Sequence, residues 1–87
     1  MTIRVEFYGI ARQRAGREFA EVQAQSLASA LEQLAQRFPE FARTCVANGK
    51  LANGITANVN GDVFVSNGDC PLNEGDTLLI LSADAGG

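Results

Sequence analysis

The stretch SLASALEQLAQRFP, residues 26–39, decides the fold. Leu27, Ala30, Leu31, Leu34, Ala35 and Phe38 recur at three- and four-residue intervals, so a helix gathers them into one apolar stripe. Ser29, Glu32, Gln33, Gln36 and Arg37 fall outside it. Ser26 is a good N-cap, because its hydroxyl can accept from an amide that the first turn leaves without a partner. Pro39 stops the helix, since the residue before a proline is pushed out of helical angles. The stretch is an amphipathic helix with one face to bury.

The flanks say what that face covers. Before the helix, Ile3, Val5 and Phe7 alternate with Arg4, Glu6 and Tyr8, the period of a half-buried strand over Met1 to Tyr8. Residues 9–16 read as a polar connection, and Arg17 to Ala24 as a weaker strand with Ala20 and Val22 on one side. Together they predict a hairpin. After the helix, residues 41–54 are mixed and are expected to be irregular, with Asn48-Gly49 and Asn53-Gly54 as turn signals. Ala57 and Val59 precede Asn60-Gly61, a favoured hairpin turn, and Val63 to Ser66 returns. Residues 67–76 are rich in turn formers, and Thr77 to Ser82 is a final apolar strand. A helix between two hairpins can cover one face of a mixed sheet, which is a two-layer α+β sandwich. Periodicity alone leaves the strand order open.

A two-layer sheet has only one face under its helix. Val63, Val65, Leu78 and Ile80 are therefore assigned to the core, and Phe64, Leu79 and Leu81 to an apolar patch on the outer face. Patches of this kind mark partner surfaces. The competing arrangement buries both sets.

Composition narrows the function classes. The chain has 87 residues, which fits one small domain over residues 1–87 and leaves no room for a core and a deep catalytic pocket together. Net charge is -3, and the seven basic residues are scattered, unlike a nucleic-acid footprint. No signal-peptide core and no apolar run of membrane-spanning length occur, so a cytoplasmic protein without membrane contact is expected. Cys45 and Cys70 lie in no metal-ligand spacing and are expected to be free thiols, with no metal bound. The chain has no histidine for acid-base work, and no base is identifiable for Cys45 as a nucleophile. Asp62, Asp69, Asp76 and Asp84 sit near glycine or in loops, where solvated turn roles are expected. No catalytic residue is assigned.

The sequence ends in Gly86-Gly87. Glycine loses the most freedom on ordering, so it holds a terminus poorly. Two glycines without Cβ atoms can instead be threaded into a channel too narrow for a side chain, delivering the terminal carboxylate to a reagent in another protein.

Three stretches together resemble a known family. Val59-Asn60-Gly61, then Pro71-Leu72-Asn73-Glu74-Gly75-Asp76, then an apolar strand ending in Gly86-Gly87 are similar to the ubiquitin-like sulfur carriers of the MoaD/ThiS type. The helix end Arg37-Phe38-Pro39-Glu40 resembles the small subunit of molybdopterin synthase in particular. The resemblance covers essentially the whole chain. It implies a β-grasp fold, with the first and last strands side by side and a flexible tail over residues 82–87. It also implies that an activating enzyme, using ATP and magnesium, adenylates Gly87. A sulfur donor then supplies a thiocarboxylate, which is passed to the large subunit of molybdopterin synthase or to another sulfur-receiving enzyme. No cofactor is expected on the chain itself. Family tails often carry proline and valine before Gly-Gly, whereas this chain has Ser82-Ala83-Asp84-Ala85, so Asp84 is expected to bear on which enzyme receives the sulfur. Carriers for thiamine, cysteine or another sulfur metabolite, and a protein modifier forming isopeptide bonds, are the alternatives. Lys50 is the only lysine, which leaves one side-chain site for chain building.

Overall fold

The computed structural model describes residues 1–82. Its elements run β1 (Thr2–Phe7), α1 (Ile10–Ala15), β2 (Phe19–Gln23), α2 (Leu27–Arg37), α3 (Pro39–Cys45), β3 (Val46–Ala47), β4 (Lys50–Leu51), β5 (Ile55–Val59), β6 (Val63–Val65) and β7 (Thr77–Ser82). Five strands form a sheet in the order β2-β1-β7-β5-β6, and β3 and β4 form a separate small hairpin. β1 and β7 pair in parallel at the centre of the sheet, and the other pairs are antiparallel. This is the mixed sheet of a β-grasp.

The helix forms for the reasons its sequence supplies. Ser26 and Ser29 cap it reciprocally, each hydroxyl accepting the other's backbone N–H at 3.2 and 3.1 Å. Leu27, Ala30, Leu31 and Leu34 are buried against Ile3, Val5 and Phe7 of β1, Leu78 and Ile80 of β7, Ala20 and Val22 of β2, and Ala57 of β5. Phe7 meets Phe38 and Phe41 edge-on, with ring centroids 5.6 and 5.3 Å apart, a favoured aromatic geometry. The Arg37 guanidinium donates to the backbone carbonyl of Glu21 on β2.

Three expectations need correction. The connection at residues 9–16 contains α1, a six-residue helix that buries only Ala11 and ends on Gly16 in the left-handed region at φ 73°. One buried residue gives no periodic signal, and Gly16 closes the turn because it alone pays no Cβ penalty there. Residues 41–54 are largely ordered. Pro39 ends α2 and opens α3 at its first position, where a missing N–H costs nothing. β3 and β4 then turn at Asn48-Gly49, with φ 54° and 76°, the two left-handed positions a tight hairpin requires. Lastly, Val63 is not in the core. It is 57% exposed, and Val65 only half-buried, because β6 is the outermost strand while α2 leans toward β2 at the opposite edge.

Phe7 ties the sheet to α2 and α3 at once. Phe7→Ala is expected to lower stability by about 3–5 kcal/mol, read as a lower urea midpoint with an unchanged slope.

Candidate functional site

The register defines the outer face of the sheet. Phe19 lies opposite Glu6, Glu6 beside Leu79, Leu79 opposite Asn58, and Asn58 opposite Phe64. One continuous row of side chains thus crosses all five strands. Phe64 is 67% exposed, whereas Leu79 and Leu81 are half-buried. The three patch residues therefore share one face, with Phe64 the most prominent. Thr56 lies opposite Leu81 and separates it from β6.

The β1 end of the row is a polar network. The Tyr8 hydroxyl donates to Glu6 Oε1 at 2.6 Å, and Arg4 Nε donates to Oε2 at 3.0 Å. Tyr8 foremost, then Arg4, holds the Glu6 carboxyl below its ordinary pKa, and the same bond to Glu6 raises the Tyr8 phenol. The Arg4 guanidinium also lies 3.9 Å from the centre of the Phe19 ring, a cation–π contact. Phe19, Glu6 and Tyr8 line a cleft of about 310 Å³ with Arg4, Phe7, Arg12 and Glu18.

Toward the other end, between Leu79 and Phe64, stands Asn58. It is 6% exposed, and its Oδ1 is buried with no hydrogen-bond partner among the described residues. Buried carbonyls are nearly always paired, so this oxygen is an exception.

A clamp fixes β5 to β7 below this row. Asn60 Nδ2 donates to Asp76 Oδ1 at 3.0 Å, the Asn73 N–H donates to Asp76 Oδ2 at 2.8 Å, and the Thr77 N–H donates to Asn60 Oδ1 at 2.8 Å. The Asn73 amide, then Asn60, lowers the Asp76 pKa. Asp76 is thus a structural anchor. Asp62 and Asp69 are exposed, and the Asp69 N–H closes a local turn on Asn67 Oδ1 at 2.9 Å.

Nucleophilic chemistry finds little support in this arrangement. Cys45 is fully buried and its thiol pKa is raised by desolvation. Cys70 is half-buried. Among the described residues no His, Cys, Asp or Glu group could hold a metal ion, and no helix is long and apolar enough to cross a membrane. Gly86, Gly87 and Asp84 lie outside the described residues.

Sequence reading missed Glu6, Tyr8, Phe19 and Asn58 as members of this face. The alternation against Ile3, Val5 and Phe7 was a signal for Glu6 and Tyr8. Asn58 gave none, because a polar residue in a strand looks solvated until its neighbours are placed.

The model of the ThiS family matches residues 5–87. Among solved structures, the chain is similar to a chain of the BexX/CysO complex of Amycolatopsis orientalis, at 27% identity over 98% of this chain and 99% of that one, with a TM-score of 0.81. SAMP1 from Haloferax volcanii is similar at 19% identity over 94% of each chain, with a TM-score of 0.80. The putative molybdopterin converting factor subunit 1 from Pyrococcus furiosus is similar at 21% identity over 94% of this chain and 97% of that one, with a TM-score of 0.76. The last two show the fold. No curated protein sequence matches the chain.

Two outcomes test this geometry. Phe64→Ala is expected to change stability by less than about 1 kcal/mol, since an exposed ring loses little on truncation, and a thermal melt checks it. Asp76 has a lowered pKa when folded, so its stabilisation is present above the unfolded carboxylate pKa and is lost as pH falls through the folded value. Asp76→Asn should therefore be less stable than the parent at pH 7, and the two melting temperatures should converge below about pH 4.

Proposed function

The chain belongs to the ThiS family of ubiquitin-like sulfur carriers, and from that premise we propose that Gly87 carries the sulfur. The observation that carries this reading is that the family match runs through Gly86-Gly87 itself. A carboxylate is a poor electrophile. An activating enzyme with ATP and magnesium joins the Gly87 carboxylate to AMP and releases pyrophosphate. The terminal sulfur of a persulfide donor attacks the carbonyl, AMP leaves, and an acyl disulfide remains. A thiol then cleaves the S–S bond, giving the thiocarboxylate and a new disulfide. The thiocarboxylate sulfur is the nucleophile delivered to a receiving enzyme, whose channel positions it beside the acceptor.

In this reading the chain is a co-substrate, and its own residues supply recognition. Phe64, Leu79 and Leu81 dock on the activating or receiving enzyme, and the tail enters that enzyme's channel. The pathway proposed first is molybdopterin synthesis, with a molybdopterin synthase large subunit as receiver. Support comes from the likeness to the Pyrococcus furiosus subunit and from the Arg37-Phe38-Pro39-Glu40 helix end. The higher identity to a chain of the BexX/CysO complex favours a second reading, a carrier serving a receiver of another kind. Asp84 bears on that choice. A carboxylate in a narrow channel needs a cation or donors, which a receiver built for an apolar tail does not offer.

The test is incubation with an activating enzyme, ATP, magnesium and a persulfide donor, followed by intact-protein mass spectrometry. The expected product has one oxygen replaced by sulfur. Deleting Gly87 should abolish both this product and ATP–pyrophosphate exchange, while the thermal melt stays unchanged. Exchange by the shortened chain at the parent rate overturns the reading.

A further inference from the structure

We propose that Asn48-Gly49 is a site of spontaneous self-modification, at which the chain turns its own carboxamide into a carboxylate, and that Asn60-Gly61 is shielded from the same reaction by Asp76 and Thr77. The inference stands apart from the carrier reading. The two pairs form a matched comparison within one molecule. Asn48 and Gly49 turn the β3–β4 hairpin at φ 54° and 76°, and Asn60 and Gly61 turn the β5–β6 hairpin at φ 58° and 75°. All four residues are exposed. On either glycine, no atom beyond the chain neighbours lies within 4 Å of where a Cβ would sit, so crowding does not distinguish them. Asn53-Gly54 and Asn67-Gly68 share the dipeptide but keep the asparagine out of the left-handed region, so they fall outside the match.

The side chains differ. Asn60 Nδ2 donates to Asp76 Oδ1 at 3.0 Å, and the Thr77 N–H donates to Asn60 Oδ1 at 2.8 Å. Asp76 is itself fixed by the Asn73 N–H at 2.8 Å. The Asn60 carboxamide is thus held to the start of β7 by both of its polar atoms. The Asn48 carboxamide has no such anchor among the described residues and faces water. The reaction needs that freedom. The Gly49 amide nitrogen loses its proton and attacks Asn48 Cγ. A new N–C bond closes a cyclic imide, the Cγ–Nδ2 bond breaks, and ammonia leaves with a proton. Water then opens the ring. Attack at Cγ restores the chain with an aspartate, and attack at the backbone carbonyl leaves an isoaspartate linked through the side chain. Each event consumes a water and releases an ammonia, with no oxidant or reductant. Glycine suits the attacking position because it lacks a Cβ and reaches unusual backbone angles at little cost. At position 60 the carboxamide must first leave Asp76 and Thr77. A hydrogen bond to a charged group is among the stronger ones in a protein, so this step raises the barrier. The consequences differ as well. A carboxylate at position 60 would face Asp76 and break the clamp that starts β7. At position 48 it falls in the small hairpin outside the main sheet.

The test is ageing of the purified full chain in mildly alkaline buffer, followed by peptide mapping that separates asparagine, aspartate and isoaspartate at each position. In the folded parent, Asn48 should convert about tenfold faster than Asn60, or more. In concentrated urea, which removes the anchor, the two rates should converge. Asp76→Ala should speed conversion at Asn60 about tenfold and leave the Asn48 rate unchanged. The urea comparison needs no variant, so it decides even where Asp76→Ala weakens the fold. Equal rates at the two positions in the folded parent overturn the proposal, and so does an Asn60 rate above that of Asn48. A difference that persists undiminished in urea overturns it too, since neighbouring sequence rather than the fold then sets the rates. An Asp76→Ala chain that is folded by its thermal melt and keeps the parent's Asn60 rate overturns the assignment of the shield to Asp76.

Discussion

The parallel pairing of β1 with β7 is the constraint on which the rest depends. Arg4 to Phe7 runs beside Thr77 to Ile80, so the two most buried strands come from opposite ends of the described chain. Parallel neighbours cannot be joined by a tight turn, so the chain between them must cross over a face of the sheet. α2 makes that crossing and buries its apolar stripe over the pair. Closing so long a loop is entropically costly until the strands meet, so the core is a non-local one. Leu78 and Ile80 reach Val5 and Phe7 only through this pairing, which explains why they are among the most buried residues.

The same pairing sets where β7 leads. The clamp of Asn60, Asp76 and Asn73 fixes its start, and the Tyr8 N–H bonds the Ile80 carbonyl at 2.9 Å near its end. β7 is therefore held along its length and delivers Ser82 opposite Ile55. Its inner side chains serve packing and its outer ones the candidate site. One strand thus joins the stability of the fold to the surface proposed for recognition, and the two demands stay separate because alternate residues point to opposite faces.

Much of this was legible in the sequence, for reasons that vary by element. α2 was readable because its stripe is long and its ends carry Ser26 and Pro39. β1, β7 and the Asn60-Gly61 turn were readable from alternation and turn chemistry. α1 and α3 were not, because a six- or seven-residue helix burying one or two side chains leaves too little pattern to separate from a loop. Pro39 was read as an ending when it is also a beginning. Val63 followed the inner alternation, yet burial depends on how far the helix layer reaches, which alternation does not encode. The apolar part of the outer face was visible as Phe64, Leu79 and Leu81. Its polar part required the register, since Glu6, Asn58 and Leu79 become neighbours only when β1, β7 and β5 are aligned.

The two rims of the sheet are finished differently, and this bears on how crowded a solution the protein tolerates. A strand with an open side offers free backbone groups to any other strand, which is how sheets polymerise. On β2 the Arg37 guanidinium already occupies the Glu21 carbonyl, and the exposed Glu21 side chain adds a charge to that strand. On β6 the defence is brevity, for the strand that follows the turn at Asn60-Gly61 is only three residues long, Val63–Val65. A rim so short offers too few backbone bonds to seed a cross-β stack. Two protruding apolar side chains, Val63 and Phe64, can therefore stand in water without making the molecule a template for aggregation.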